Sequence, residues 1–176
     1  MSAGQAIVIA IRLLVPLSIF RWPLAGAVAS MLVDALDVIL IELIGLGGFS
    51  HYAALDKGLD IYYLSFEAYV SLGWEPLAKW TALSLFAYRA IGFVAFEATQ
   101  VRALLLVFPN VFENFYLVYL VLRRFVLSWQ LTPRGLAVLL VLVTVPKLGQ
   151  EYLLHYAEAQ PWDWIKRNIL QDTWRF

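Results

Sequence analysis

Eight carboxylic side chains stand inside stretches of this chain that are otherwise built from aliphatic and aromatic residues. They are Asp34, Asp37, Glu42, Asp60, Glu67, Glu97, Glu113 and Glu151, with Asp56 at the edge of such a stretch. The bases in the same stretches are three, Arg12, Arg89 and Lys147, with Arg102 at an edge. An acidic surplus of this size is not all ion-paired, so the remaining carboxyls must carry a proton or hold a cation. Either condition suits a path for protons or cations. It also suits a hard divalent ion such as Mg²⁺, which takes carboxylate oxygens.

The spacing gathers these groups on helix faces, because residues three and four apart lie on one side of a helix. Asp56, Asp60, Tyr63 and Glu67 form one stripe. Lys147, Glu151 and His155 step by four along another, with Gln150 beside them. Asp34 and Asp37 share a face, and Glu42 sits at its margin. Asn110, Glu113 and Asn114 follow Pro109, where a proline frees a carbonyl and opens the helix. Polar side chains beside such a break are one way to build a site at mid-membrane depth. Simpler readings stand beside these. Lys147 and Glu151 form an i,i+4 pair able to neutralise itself. Glu113 and its asparagines suit interhelical hydrogen bonding, and Asp56 and Asp60 suit lipid headgroups. Arg89 and Glu97, two turns apart, are placed to reach other helices.

The acidic residues between 34 and 60 resemble part of the signature of the CDP-alcohol phosphatidyltransferases, small membrane enzymes with six spans. Asp34-Ala-Leu-Asp37 looks like the opening of their motif, and Asp56-Lys-Gly-Leu-Asp60 looks like its close. The resemblance implies that these four aspartates are metal ligands, holding divalent cations that activate an alcohol and grip a diphosphate. The sequence departs from the pattern at Val38, where the family has Gly, and at Ile41 and Glu42, where it has Ala and Arg. The second and third aspartates are also nineteen positions apart, where the family has eighteen.

Other chemistry finds less support. The two histidines, His51 and His155, fall near one membrane face but are isolated, and haem is not expected. A zinc site needs three or four ligands at tight spacing. Without Cys there is no disulfide, thiolate centre or Cys nucleophile. No nucleophile elbow, His-Glu-x-x-His or phosphate loop occurs. Gly45, Gly47 and Gly48 suit a helix end or a packing surface.

The elements that must position these groups follow from composition. The chain has 176 residues, 62% of them hydrophobic and 15% charged, with thirteen bases balancing thirteen acids. A soluble domain averages about 45–50% apolar and about 25% charged. Zero net charge excludes an electrostatic nucleic-acid binder, and the hydrophobicity excludes intrinsic disorder. A chain this short cannot hide so much apolar surface from water, so lipid is its expected solvent.

Spanning helices need about 20 mostly apolar residues. Candidates occupy residues 6–20, 24–49, 54–72, 76–99, 101–122 and 135–156; the first is short and carries Arg12 and Pro16, so it suits an interfacial helix as well. Continuous apolar runs such as residues 136–143 argue for helices over barrel strands. A cleaved signal peptide is not expected, because nothing basic precedes the first apolar run. If all six segments cross, Arg21, Lys79, Arg123, Arg124 and Arg134 share one side. Short loops weigh most in the positive-inside rule, which puts that side in the cytoplasm.

The expected fold is therefore all-α: an integral membrane helical bundle of five or six transmembrane helices in residues 1–156, with residues 157–176 as an interfacial amphipathic tail anchored by Trp162, Trp164, Trp174 and Phe176. The leading expectation is transport or conduction of a proton, cation or cation-coupled solute through Asp34, Asp37, Glu67, Glu113, Lys147 and Glu151. An accessory subunit of a larger membrane complex and a Mg²⁺-dependent phosphotransferase using Asp34, Asp37, Asp56 and Asp60 are the alternatives. Membrane lipids are the expected partners, with a homo-oligomer or a larger complex left open and nucleic acid excluded. The pattern fits a bacterial-type inner membrane and an organelle membrane equally.

Overall fold

The computed structural model describes residues 3–43, 52–101, 103–126 and 130–152, and within them the chain is helical with no strands. In order the elements are α1 (Ala3–Leu14), a 3₁₀ segment (Val15–Phe20), α2 (Pro23–Leu43), α3 (Tyr52–Ser71), α4 (Pro76–Thr99), α5 (Ala103–Val107), α6 (Val111–Phe125) and α7 (Pro133–Glu151). The side chains of 37–43, 51–54, 56, 102 and 105 lie outside what is described, as do residues 44–50 and 153–176. The expected interfacial tail, His51, His155 and the glycines at 45, 47 and 48 therefore fall outside the described residues.

Prolines set most of the boundaries. Pro23, Pro76 and Pro133 open α2, α4 and α7, where a missing N–H costs nothing. Thr132 caps α7, its hydroxyl accepting from the Gly135 amide at 3.1 Å. At the end of α4, Gln100 takes the left-handed conformation and returns its N–H to the Phe96 carbonyl.

Two prolines break segments that hydropathy alone reads as continuous. Pro16 ends α1 and tightens the following turns into 3₁₀ geometry. Pro109 divides the expected 101–122 segment into the five-residue α5 and the fifteen-residue α6. In addition, α3 carries Lys57, Asp60 and Glu67. Among the residues whose side chains are described, one helix, Pro76–Thr99, is long and apolar enough to cross a membrane; the apolar stretches Ala6–Phe20 and Pro23–Leu36 are shorter as far as they are described.

α6 occupies the centre and meets α2, α3, α4 and α7. Phe112, Phe115, Tyr116 and Tyr119 on α6 are fully buried, packed with Tyr63, Leu64 and Ala68 of α3, Ala78 and Ala82 of α4, and Leu139 and Val143 of α7. Trp74 lies against Tyr116 and Tyr119, with ring centroids 5.1 and 4.1 Å away. Small residues at 68, 71, 78 and 82 let the helix backbones approach.

Beside this aromatic core, charged side chains are buried while large apolar ones lie outside. Val138, Val141, Leu142 and Val145 on α7 and Trp80, Ile91 and Val94 on α4 face outward, with Leu142 65% exposed. Arg12, Asp60, Glu67, Arg89, Glu113 and Glu151 are buried.

Two glycines mark where the chain packs too closely for a side chain. A methyl group at Gly26 would overlap the Ile19 backbone, and one at Gly92 would overlap the Phe108 side chain; at Gly58 it would meet nothing. Gly26→Ala and Gly92→Ala should each destabilise the protein by about 1–3 kcal/mol. Gly58→Ala should be neutral or stabilising, by up to about 1 kcal/mol. Unfolding of the purified protein in detergent checks this, and equal behaviour of the three variants would contradict the packing.

Candidate functional site

The site is organised by one face of α3. Steps of three and four place Lys57, Asp60, Tyr63, Glu67 and Ser71 in a row. At 1.5 Å per residue the row is about 21 Å long. Apart from Lys57, all its members are buried, Glu67 and Ser71 completely. The row meets different partners along its length.

At the end toward Lys57, Arg12 of α1 reaches across the bundle. Its Nη2 donates to Asp34 Oδ1 on α2 and to Asp60 Oδ1 on α3, the latter at 2.9 Å. Lys57 Nζ lies 3.4 Å from the other Asp60 oxygen. One buried guanidinium thus joins three helices. Asp34 and Asp60, two of the four aspartates in the resemblance to the phosphatidyltransferases, meet here through a side-chain cation, Arg12. A divalent ion would have to displace Arg12, so the described residues do not fit that metal. Asp37 and Asp56, the other two proposed ligands, have side chains outside the described residues. Among the described residues no three Asp, Glu or His side chains converge as a ligand set.

Midway, Tyr63 donates to Glu113 Oε1 at 2.8 Å. Asn110 Nδ2 donates to the second oxygen at 3.0 Å, and its own carbonyl oxygen faces the Glu113 amide at 3.4 Å. This arrangement depends on Pro109, because the break makes Asn110 the N-cap of α6 and sets Glu113 in its first turn. The break also frees carbonyls, and α4 supplies their donors: Tyr88 Oη to Val107 and Arg89 Nη1 to Phe108, the latter at 2.9 Å. Arg89, expected to reach other helices, meets instead the Phe108 backbone carbonyl in the link between α5 and α6. Its Nε has no hydrogen-bond partner among the described residues.

Glu67 differs from the other described acids of the set. It is 0% exposed, and neither carboxyl oxygen has a hydrogen-bond partner among the described residues. Glu113 is close enough to act on it electrostatically, as Glu67 is on the hydroxyl of Tyr116. That hydroxyl is also buried without a partner among the described residues. On the α7 side, Lys147 sits 3.2 Å from Glu151 and 3.2 Å from Gln150 Oε1, and its charge reaches Glu113 together with those of Asp60 and Arg89.

Of the expected set, Glu67, Glu113, Lys147 and Glu151 thus belong to one electrostatically connected interior. Asp34 and Asp60 form a second knot around Arg12, which reaches the first through Tyr63. Sequence reasoning undervalued Arg12, Tyr63 and Tyr116. The place of Tyr63 in the α3 stripe and of Tyr116 one turn beyond Glu113 were the available signals. Comparison of the chain with protein-family models, with curated proteins and with solved structures finds no match.

Removing one partner of a buried ion-pair network leaves uncompensated charge and costs about 3–5 kcal/mol, whereas replacing all partners by neutral groups is often tolerated. Arg12→Met should destabilise by that amount, and adding Asp34→Asn and Asp60→Asn to it should recover most of the loss. Unfolding of the single and triple variants in detergent gives the comparison; a single variant as stable as the parent would show that the bridge contributes nothing.

Proposed function

We propose that this chain is a multi-pass integral membrane protein whose interior carboxyls move a proton or a small cation across the bilayer. The membrane reading rests on inverted polarity. Valine, leucine and tryptophan side chains cover the outside of α4 and α7, while arginine, aspartate and glutamate fill the inside. In water that distribution loses both the hydrophobic term and the hydration of the charges. In hydrocarbon it satisfies both, since a lone charge facing lipid costs about 2.5–3.5 kcal/mol. On this reading α1 with the 3₁₀ segment, and α5 with α6, are broken segments. The irregular backbone at Pro109 is tolerated because α4 covers it.

The observation that carries the function is Glu67. A carboxyl enclosed with no hydrogen-bond partner among the described residues, close to a second buried carboxyl, contributes nothing evident to stability. Its charge must be met by a proton or a mobile cation. The remaining groups of the α3 row extend from it in both directions, with Tyr63 and Asp60 on one side and Ser71 on the other, while Glu113 and Tyr116 of α6 act on this row electrostatically. A proton is the favoured cargo, because among the described residues ligand oxygens do not converge in the manner a metal ion demands. Lys147, itself paired with Glu151, acts on Glu113 from α7.

The alternatives draw less support. An accessory subunit would pair its interior charges with those of neighbouring chains, whereas Arg12 with Asp34 and Asp60, and Lys147 with Glu151, close within this one. A Mg²⁺-dependent phosphotransferase requires the space that Arg12 fills.

In proteoliposomes with an imposed pH gradient and a trapped pH dye, the parent protein should dissipate the gradient. Glu67→Gln should slow this about 10²-fold, the low end of what a positioned proton carrier contributes. Glu67→Asp should retain part of the rate. Flux equal to the parent in a folded Glu67→Gln variant would remove the proposal.

A further inference from the structure

We infer that the end of the bundle bearing Arg21 and Arg124 holds an anionic glycerophospholipid, its phosphate between the two guanidinium groups and an acyl chain along α2. The inference rests on the membrane reading above and is independent of the carboxyl row.

A groove of about 580 Å³ runs from Arg21, Trp22 and Arg124 down α2, with Leu24, Val28 and Leu32 along its length. The sequence explains its shape. Leu24, Val28 and Leu32 repeat every four residues on one face, while Ala25 and Ala29 beside them are too small to fill the space. From Arg21 to Leu32 the groove extends eleven residues, about 16 Å at the helical rise. That is about half of a hydrocarbon core roughly 30 Å thick, the depth of one leaflet. A second, smaller groove lined by Leu120 and Arg123 shares Pro23, Leu24 and Arg124 with the first. Two grooves meeting at one arginine match two acyl chains joined at one headgroup.

Charge selects the headgroup. No acidic side chain lines either groove. Arg123 is engaged by the Tyr119 hydroxyl at 3.3 Å, and Glu75 acts on it. Arg21 and Arg124 have no carboxylate partner among the described residues. Guanidinium groups grip phosphate oxygens through paired hydrogen bonds, and Trp22, 62% exposed, stands where an indole lies at headgroup level. The starts of α4 and α7 add Lys79 and Arg134 to this end of the bundle. That makes it the cytoplasmic side by the positive-inside rule, where anionic lipids concentrate.

The test is native mass spectrometry of the full chain in detergent with added dioleoyl phosphatidylglycerol or dioleoyl phosphatidylcholine. The parent should retain the anionic lipid about 25-fold better, from about fivefold for each of the two engaged arginines. Arg21→Gln with Arg124→Gln should abolish the preference, and Lys79→Gln with Arg134→Gln, which removes the same charge outside the groove, should keep it. Val28→Trp, with both arginines intact, should lower retention by filling the acyl path. Inorganic phosphate in excess should not displace the lipid. The inference is overturned by equal retention of the two lipids, by a preference that survives loss of Arg21 and Arg124, by equal loss in the Lys79 and Arg134 variant, by full retention in Val28→Trp, or by displacement with phosphate. Retention is read without any flux measurement, so the two readings fail separately.

Discussion

Asp60, Tyr63 and Glu67 project from α3 into the interior, and the surrounding helices are arranged to answer them. α1 contributes Arg12 and α2 contributes Asp34, while α6 contributes Glu113 with its cap Asn110. α7 contributes the Lys147–Glu151 pair. Where outward-facing surface is apolar, polar groups on a helix have no other stable direction. The charged face of α3 thus acts as the organising seam, and the aromatic packing of α6 with Trp74 fills the space that the polar contacts leave.

The polar seam also bears on why one helix among the described residues passes as a membrane span by length and hydropathy. α3 carries charges that its neighbours compensate, and α6 begins after Pro109 with Glu113 in its first turn against Tyr63. Hydropathy scores each helix against lipid alone. In a bundle the relevant surroundings of an inward residue are its neighbours, and those are read only from three-dimensional arrangement.

The sequence was informative where a local rule governs. The limits of α4, residues 76–99, follow from a proline at one end and loss of apolar pattern at the other, and they are as observed. The stripe on α3, the i,i+4 pair on α7 and the opening at Pro109 are consequences of helical periodicity and of proline chemistry. Other features depend on pairing between distant positions. That Arg12 would bridge residues 34 and 60, or that Tyr88 and Arg89 would meet carbonyls nineteen residues away, has no one-dimensional signature. The run 6–20 shows the same limit. Its apolar content suggests one continuous helix, yet Pro16 and the close approach of Gly26 to the Ile19 backbone favour a tighter coil there. Asp37 and Asp56 lie outside the described side chains, so the four-aspartate pattern meets the structure only at Asp34 and Asp60.

The joint between α5 and α6 has a mechanical consequence. Its loose carbonyls are latched by two consecutive side chains of α4, and the ring of Phe108 is seated against Gly92 one turn further along the same helix. Three points of attachment along a rigid rod fix both position and rotation. Any tilt or twist of α4 is therefore transmitted to Asn110 and through it to the carboxyl of Glu113, so that a helix with an exposed apolar face serves as a lever on a buried acid.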